Sequence, residues 1–366
     1  MTEAILLVGG FGTRLKPLTI HTPKPMLEVA GYPVTAHQIS KAKAAGINHI
    51  VLGTAFKAEV FREGLADGSG LGVKISYAYE PVQLGTGGGI RNAAALLTCG
   101  PEDPVVVFNG DVLTGVDINK VLNVWKEKKA DVAIYLTKVD NPAAYGSVPT
   151  DEEGNVLAFL EKPERKEDIV TDQINAGMYV FKRKIIDTIA TGRVVSVERE
   201  VFPDLLKAGL KVIGVVDQSY WLDLGTPKAF VQGSSDLVLG NIKTGLLNSF
   251  GDKLVLAGAK VSPTAQISLG SVIGKNSDVE DNCKIINSVI LDAVNVGKKS
   301  VIESSIIARG AKIGEGCVIK NSVVADFVEL APGSVLLNDS RIWPDQKVAK
   351  IELNNQTIPT NPDWAN

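Results

Sequence analysis

The sequence has few cysteines, no excess of charge of one sign and no long apolar run. Its three cysteines, Cys99, Cys283 and Cys317, include no CxxC pair, so neither a disulfide framework nor a zinc site is expected. Lys and Arg total 38 against 41 Asp and Glu, a balance that gives no general attraction to nucleic acid or anionic membranes. The first apolar run, Ala4–Val8, is far too short for a signal sequence or a membrane span. We therefore expect a cytoplasmic protein with no nucleic-acid or membrane partner.

A chain of 366 residues is too long for one core of ordinary size, so two domains are expected. Through about residue 240, short β-branched runs alternate with helical patterns, which indicates an α/β sheet. The predicted strands are Ala4–Val8, Ile50–Gly53, Val73–Ala78, Val105–Phe108 and Asp131–Lys138. The predicted helices are Val34–Ala45, Ile90–Leu97 and Ile118–Lys129, the last behind the N-cap Asp117.

Alternating strands such as Val156–Leu160 and Asn175–Phe181 lie between Gly146 and about Val216. We interpret this stretch as a smaller subdomain that covers the open edge of the first sheet.

A hexapeptide repeat begins near residue 255. Branched aliphatic residues recur at every sixth position, and later coils repeat every 17 residues from Val279 to Val296, Ile313 and Leu330. This period predicts a left-handed parallel β-helix. Stacked coils lie about 4.8 Å apart, so Cys283 and Cys317, two coils apart, are separated by roughly 9.6 Å, too far for a disulfide. We interpret both cysteines as small corner residues.

The most informative stretch follows the first strand: Gly9-Gly10-Phe11-Gly12-Thr13-Arg14, and then Pro23-Lys24-Pro25. Glycines after a strand let backbone N–H groups approach phosphate closely. The spacing matches neither a Walker P-loop nor a dinucleotide fingerprint. Because the prolines prevent a long helix, Arg14 and Lys24 should lie on an extended loop near one phosphate cradle.

Two aspartates stand at predicted strand ends, Asp111 in Asn109-Gly110-Asp111 and Asp223 in Trp221-Leu222-Asp223. Carboxylate oxygens are the ligands that Mg²⁺ prefers. Taken singly, each aspartate could equally be a turn or N-cap residue.

These motifs together resemble the sugar nucleotidyltransferase (nucleoside diphosphate-sugar pyrophosphorylase) family over essentially the whole chain. The resemblance implies a Rossmann-like nucleotidyltransferase domain with a mixed sheet, followed by the β-helix. It implies that Arg14 and the glycine loop bind the triphosphate, that Lys24 aids the transfer, and that Asp111 and Asp223 hold Mg²⁺. Val8, where many members carry alanine, and the segment Ser196–Pro203 resemble the GDP-mannose branch.

The resemblance also implies which residues bind each substrate. The implied nucleotide-binding residues are Val8, Gly9, Gly10, Gly12, Thr13, Arg14, Lys24, Glu80, Gly85, Thr86, Asn109 and Gly110. The implied sugar-phosphate residues are Tyr145, Gly146, Glu161, Lys162, Asn175 and Gly177. Glu161 and Asn175 would accept or donate at sugar hydroxyls and Lys162 would pair with the sugar phosphate. Arg14, Lys24, Asp111 and Lys162 are the implied catalytic residues.

The expected reaction is nucleotidyl transfer from GTP to mannose 1-phosphate, giving GDP-mannose and pyrophosphate. Glucose 1-phosphate with UTP, dTTP or ATP is the alternative within the family. We place the catalytic domain at residues 1–240, a linker at 241–254, the β-helix at 255–347 and a tail at 348–366. Since solenoid faces favour stacking between subunits, we expect a homo-oligomer formed through the β-helix.

Two other functions stay open at this point. Hexapeptide-repeat proteins are often acyltransferases, but all three histidines lie outside the β-helix. A noncatalytic regulatory subunit would keep the fold without the chemistry, yet the candidate catalytic residues are all present in the sequence.

Overall fold

The computed structural model describes residues 1–160 and 169–359, which divide into two compact units. The first unit comprises Met1–Gly10 and Thr35–Trp221, and the second comprises Phe11–Val34 and Leu222–Asn366. The loop that carries Arg14 and Lys24 thus groups with the C-terminal part of the chain. The domain boundaries drawn at residues 240, 254 and 347 stay a prediction.

Eleven strands and seven α-helices are described before residue 240. The strands are β1 (Glu3–Leu7), β2 (Glu28–Val29), β3 (Tyr32–Pro33), β4 (His49–Thr54), β5 (Lys74–Tyr79), β6 (Pro104–Asn109), β7 (Val112–Thr114), β8 (Val132–Lys138), β9 (Gln173–Lys182), β10 (Val212–Val216) and β11 (Trp221–Asp223). The helices are α1 (Val34–Ala44), α2 (Ala58–Leu65), α3 (Gly85–Ala93), α4 (Ile118–Glu127), α5 (Arg183–Asp187), α6 (Phe202–Lys207) and α7 (Pro227–Leu239). Short 3₁₀ turns at Thr13–Leu15 and Lys24–Met26 punctuate the loop after β1.

The first unit is built on a seven-stranded sheet in the order β10-β8-β9-β6-β1-β4-β5. Strand β9 runs antiparallel to β6 and β8, while β1 runs parallel to β4 and β6. The mixed α/β sheet is therefore confirmed. Its apolar strands are buried on both faces, as parallel strands covered by helices are. The predicted N-cap is also confirmed, because the Asp117 side chain accepts a 2.9 Å hydrogen bond from the backbone N–H of Asn119.

The predicted edge subdomain is wrong. Strand β9, which contains Asn175–Phe181, lies in the middle of the main sheet, and β10 forms one edge of that same sheet. The predicted strand Val156–Leu160 is absent from the described residues, where Val156 and Leu160 make only isolated bridges. Alternation alone did not distinguish a strand inserted into the first sheet from a strand of a separate layer.

The predicted helix Ile90–Leu97 is displaced. Helix α3 begins at Gly85 and ends at Ala93, with a 3₁₀ turn after it. Its glycines are helical because they pack closely: the N–H of Gly87 donates to the Val195 carbonyl at 2.8 Å, and a Cβ on Gly87 would lie 2.9 Å from Cγ1 of Val195. Tertiary contact here overrides the low helix propensity of glycine.

The second unit contains a parallel β-helix, as predicted. Its strands are β12 (Lys253–Val255), β13 (Lys260–Val261), β14 (Gln266–Ser268), β15 (Ser271–Ile273), β16 (Asp278–Val279), β17 (Lys284–Ile286), β18 (Val289–Ile290), β19 (Asn295–Val296), β20 (Val301–Glu303), β21 (Ile306–Ile307), β22 (Lys312–Ile313), β23 (Val318–Lys320), β24 (Val323–Val324), β25 (Glu329–Leu330), β26 (Val335–Leu337), β27 (Arg341–Ile342), β28 (Lys347–Val348), β29 (Glu352–Asn354) and β30 (Thr357–Ile358). Every third strand joins the same sheet, which gives three parallel sheets.

The 17-residue repeat fixes the register of the coils. Val279 pairs with Val296, Val296 with Ile313, and Ile313 with Leu330. Cys283 and Cys317 are buried, free thiols in this stack, so the expectation of no disulfide is confirmed. Within the described part of the chain, no helix is both long and apolar enough to cross a membrane.

A buried carboxylate sits at the start of β1. Glu3 is 1% exposed and accepts hydrogen bonds from Thr98, from the Cys99 backbone and, at 2.6 Å, from His49. Burial alone would raise the pKa of Glu3, but these hydrogen bonds together lower it to about 2. Ionised Glu3 therefore stabilises the first unit.

Replacing Glu3 by Gln should lower the free energy of unfolding at pH 7 by about 1–3 kcal/mol, since it removes charge-assisted hydrogen bonds. The folded pKa lies below the unfolded value, so this stabilisation is complete above pH 4.5 and is lost as the pH falls toward about 2. Urea unfolding across this range measures the difference between the two proteins. The exposed Glu152→Gln serves as the control, and an equal loss in both variants would contradict this account of Glu3.

Candidate active site

The ends of β1 and β6 lie side by side in the first unit. The N–H of Gly110 donates to the Leu7 carbonyl at 2.8 Å, and a Cβ on Gly110 would lie 2.5 Å from that oxygen. Only glycine allows this approach without a backbone shift. The predicted residues Val8, Gly9 and Gly10 therefore leave the sheet edge next to Asn109 and Gly110, which are followed by the half-buried Asp111.

A buried glutamine on α1 holds the turn that carries Asp111. Nε2 of Gln38 donates to the carbonyl oxygens of Asn109 at 2.7 Å and Val112 at 2.9 Å. These two acceptors flank Asp111 in sequence, so Gln38 fixes the backbone on both sides of the carboxylate. Because Gln38 is 6% exposed, water does not readily replace these hydrogen bonds.

The predicted sugar residues on β9 approach the same strand ends. Gly177 has a positive φ of 77°, and a Cβ there would lie 3.0 Å from Nδ2 of Asn109. The Asn175 side chain accepts from the Gly177 N–H at 3.0 Å and donates to the Tyr179 hydroxyl at 2.8 Å. The β9 ladder shifts register where it passes Leu136, the partner of Asn175, and such irregularities re-aim side chains.

Tyr145 and Gly146 lie beside this segment. The Gly146 carbonyl accepts from the Asn175 N–H at 2.9 Å, and the ring of Tyr145 meets that of Trp221 edge-on at 5.3 Å. The Trp221 indole N–H donates to the Ala176 carbonyl at 3.0 Å. The structure thus brings four predicted sugar residues of the first unit together. Glu161 and Lys162, the other two, lie outside the described residues.

The residues predicted to bind the base lie just before and at the glycine-rich start of α3. Oε2 of Glu80 accepts from the Leu84 N–H at 3.1 Å; burial raises the pKa of Glu80, and this hydrogen bond opposes the rise. The Thr86 hydroxyl donates to Glu198 at 2.8 Å and accepts from the Val197 N–H at 2.9 Å. Both side chains therefore support the fold around Gly85.

Three predicted residues converge in the second unit. Nη2 of Arg14 and Nζ of Lys24 each lie 3.3 Å from a carboxylate oxygen of Asp223. The side chain of Lys24 is 8% exposed and that of Asp223 is 20% exposed, whereas that of Arg14 is 66% exposed. One carboxylate thus joins two cations that are separated from it by about two hundred residues of sequence.

Two glycines allow this cluster to form. Gly12 has a φ of 61°, and a Cβ there would lie 2.8 Å from Cβ of Lys24. A Cβ on Gly225 would overlap the Arg14 guanidinium and lie 3.0 Å from Oδ1 of Asp223. Thr13, the remaining residue predicted in this loop, is exposed at the start of the 3₁₀ turn.

The carboxylates present suit a metal that the substrate helps to bind. Among residues 1–160 and 169–359, no three His, Cys, Asp or Glu side chains cluster as a ready-made metal site. Asp111 and Asp223 are half-buried, hard oxygen donors. Mg²⁺ is commonly held by one or two carboxylates together with substrate phosphates and water, so each of these carboxylates, one in either unit, is a suitable donor for such an ion.

Comparison with known families identifies the fold. The model of the nucleotidyl transferase family matches residues 3–238. The chain belongs to this family. The model of the GMPPB C-terminal domain matches residues 250–358. The family resemblance predicted from the loop motifs is confirmed.

Relatives within the family match most of the chain. Mannose-1-phosphate guanylyltransferase of Mycobacterium tuberculosis is 54% identical over 344 residues, which cover 93% of this chain and 94% of that protein. Mannose-1-phosphate guanylyltransferase 1 of Arabidopsis thaliana is 33% identical over 296 residues, 80% of this chain and 81% of that protein.

Solved structures match the N-terminal part. HddC from Yersinia pseudotuberculosis is 28% identical with a TM-score of 0.55, and the match covers 64% of this chain and 99% of that one. HddC complexed with GMP-PN is 27% identical at the same TM-score, 0.55.

Three residues around the site escaped sequence reasoning. Gln38 holds the Asp111 turn, Trp221 holds β9, and Arg341 of the β-helix donates to the carbonyl oxygens of Arg14 and Lys16 at 3.1 and 2.6 Å. No sequence signal singles out Gln38, since Thr35 and His37 are further buried polar residues on the same helix. No local signal singles out Arg341, since charged residues occur throughout the outer surface of the β-helix.

Proposed function

We propose that this protein is a mannose-1-phosphate guanylyltransferase, which transfers a guanylyl group from GTP to mannose 1-phosphate and releases pyrophosphate. The meeting of Arg14 and Lys24 at Asp223 carries the proposal. Arg14 and Lys24 are held together there by long-range contacts, and two neighbouring cationic side chains suit a triphosphate. The M. tuberculosis relative, 54% identical, bears that activity in its name.

In this proposal the protein positions the sugar phosphate and the triphosphate and neutralises their charge. No side chain acts as a nucleophile. The sugar phosphate is already ionised, so its oxygen can attack the α-phosphorus without a protein nucleophile. Arg14 binds the triphosphate with the backbone N–H groups of the glycine loop. Lys24, which is nearly buried, supplies a less screened charge to the phosphoryl group in transfer.

We propose Mg²⁺ as the metal, with Asp111 and Asp223 as its protein ligands. When bound, Mg²⁺ supplies charge neutralisation for the phosphate oxygens. Gln38 keeps Asp111 in place through the backbone on either side of it. Asp223 keeps Arg14 and Lys24 close to each other before the substrate arrives.

The sugar and base sites follow from the first unit. We assign the sugar hydroxyls to Asn175 and Glu161, and the sugar phosphate to Lys162. Gly146 and Gly177, beside Tyr145, would let the backbone approach the sugar closely. We assign the base to the turn from Glu80 to Thr86. Since the Thr86 hydroxyl is engaged by Glu198 and Val197, the backbone at Gly85 and Thr86 is the better candidate to read the base edge. We further propose cytoplasmic location and a homo-oligomer formed through the β-helix.

Substrate choice is tested by crossing GTP, UTP, dTTP and ATP with mannose and glucose 1-phosphates and measuring pyrophosphate release with Mg²⁺. We expect the highest kcat/KM with GTP and mannose 1-phosphate, and no turnover after chelation of the metal. A higher kcat/KM with another pair would contradict the assigned specificity. Absence of turnover with all eight pairs would contradict the proposed enzyme class.

The role of Arg14 is tested by Gly225→Ala. The new Cβ would occupy the space of the Arg14 guanidinium, and the flexible side chain can move away without unfolding the protein. We expect kcat/KM for GTP to fall about tenfold to a hundredfold, while the urea midpoint changes little. Gly251→Ala is the matched control, because nothing lies within 4 Å of a Cβ at Gly251. Unchanged kcat/KM in Gly225→Ala would remove Arg14 from its assigned role.

A further inference from the structure

The β-helix holds the loop that carries Arg14 through one guanidinium. Nη1 of Arg341, on β27, donates to the carbonyl oxygens of Arg14 at 3.1 Å and Lys16 at 2.6 Å. These two carbonyls flank Leu15, which is fully buried. The loop's own turns use other acceptors, the carbonyls of Gly12 and Thr13. Arg341 thus fixes the stretch of backbone from which the Arg14 side chain extends.

The Arg341 guanidinium is itself fixed by Asp339. Nε of Arg341 donates to Oδ1 of Asp339 at 2.9 Å, and Nη2 donates to Oδ2 at 3.0 Å. This bidentate pairing sets the plane of the guanidinium and leaves Nη1 directed at the loop. Lysine cannot reproduce it, because an ammonium group has no planar fork.

Leu15 packs into the interior, but side-chain packing gives the exposed side of this stretch, Thr13, Arg14 and Lys16, little support. Thr13 and Arg14 border a cavity of about 710 Å³ that is also lined by Thr226 of the α7 N-cap, by Asn321 and by Arg341. A segment beside an open cavity lacks the close contacts that hold a core residue. Hydrogen bonds from Arg341 therefore take the place of packing on that side.

A second contact holds the loop further along. Nδ1 of His21 lies 3.2 Å from Oδ2 of Asp326, a β-helix residue between β24 and β25. β-helix residues thus contact the loop on either side of Leu18. The contacts before it are at the Arg14 and Lys16 carbonyls, and the contact after it is at the His21 ring. Residues of the same β-helix contact the loop at both points.

We propose that Arg341 is a positioning residue: it sets the place of Arg14 by holding the Arg14 and Lys16 carbonyls against the β-helix. The consequence for catalysis rests on the proposed function. The β-helix then contributes to nucleotide binding as well as to assembly. Loss of Arg341 should loosen the Thr13–Lys16 backbone. It should therefore raise KM for GTP more than KM for mannose 1-phosphate.

The first test needs no substrate. Trypsin can cut the Arg14–Leu15 bond, whereas proline follows Lys16 and Lys24 and protects those bonds. We expect Arg341→Met to release the peptide of residues 1–14 about tenfold faster than the wild-type protein, as measured by mass spectrometry, because local opening exposes the bond. Lys320→Met is the control: it removes a β-helix cation that pairs with Glu303 and should leave the rate unchanged.

The second test uses kinetics. Arg341→Met should raise KM for GTP about tenfold, the loss expected for a charge-assisted hydrogen bond, with a change of less than about twofold in KM for mannose 1-phosphate. Arg341→Lys and Asp339→Asn should give intermediate values, since each keeps part of the contact. Equal effects on both substrates, with wild-type tryptic release, would mean a merely structural role and overturn the proposal.

The variants also distinguish the positioning role of Arg341 from the proposed enzymatic function. Should Arg341→Met fail to fold, Arg341→Lys and Asp339→Asn provide the same comparison, and wild-type values in both would overturn the proposal. Tryptic release reports on the loop whether or not GTP is the substrate. Faster release in a protein that turns over no nucleotide would therefore support the role of Arg341 while contradicting the proposed function.

Discussion

The carboxylate of Asp223 is the interaction on which the second unit's part of the site depends. It lies 3.3 Å from both Nη2 of Arg14 and Nζ of Lys24. Removing this carboxylate would take an ion-pair partner from a nearly buried ammonium group, a loss that costs about 3–5 kcal/mol for a buried pair. The pairing therefore holds the two cationic side chains close to one another. It also explains why Gly225 must lack a side chain, since a Cβ there would displace Arg14.

The chain's path makes this arrangement possible. After β1, residues 11–34 join the unit that contains Asp223 and the β-helix, and the chain then returns to the first unit at Thr35. The cation-bearing loop is consequently held by long-range contacts rather than by the sheet that precedes it. In the first unit, by contrast, parallel strands deliver Val8–Gly10 and Asn109–Asp111 to one edge, and the antiparallel β9 brings Asn175 and Gly177 to that edge from the opposite direction.

Sequence reasoning succeeded where a local pattern determines structure. A 17-residue period leaves no alternative to stacked coils, so the register from Val279 to Leu330 could be predicted, as could the N-cap at Asp117. It failed where distant contacts decide. The glycines of α3 are helical because Val195 packs against them, and β9 is central because both β6 and β8 pair with it. Gln38 and Arg341 belong to no sequence motif, because each acts by donating hydrogen bonds to backbone carbonyl groups that are distant in sequence.

We propose that Asp223 and its two cations belong to a nucleotide and metal site. A crystal structure with Mg²⁺ and a nonhydrolysable GTP analogue would show whether they do. We expect the metal in contact with the Asp223 carboxylate and phosphate oxygens within hydrogen-bond distance of Arg14 and Lys24. A nucleotide bound elsewhere, with Arg14 and Lys24 still paired to Asp223 as in the free protein, would contradict it.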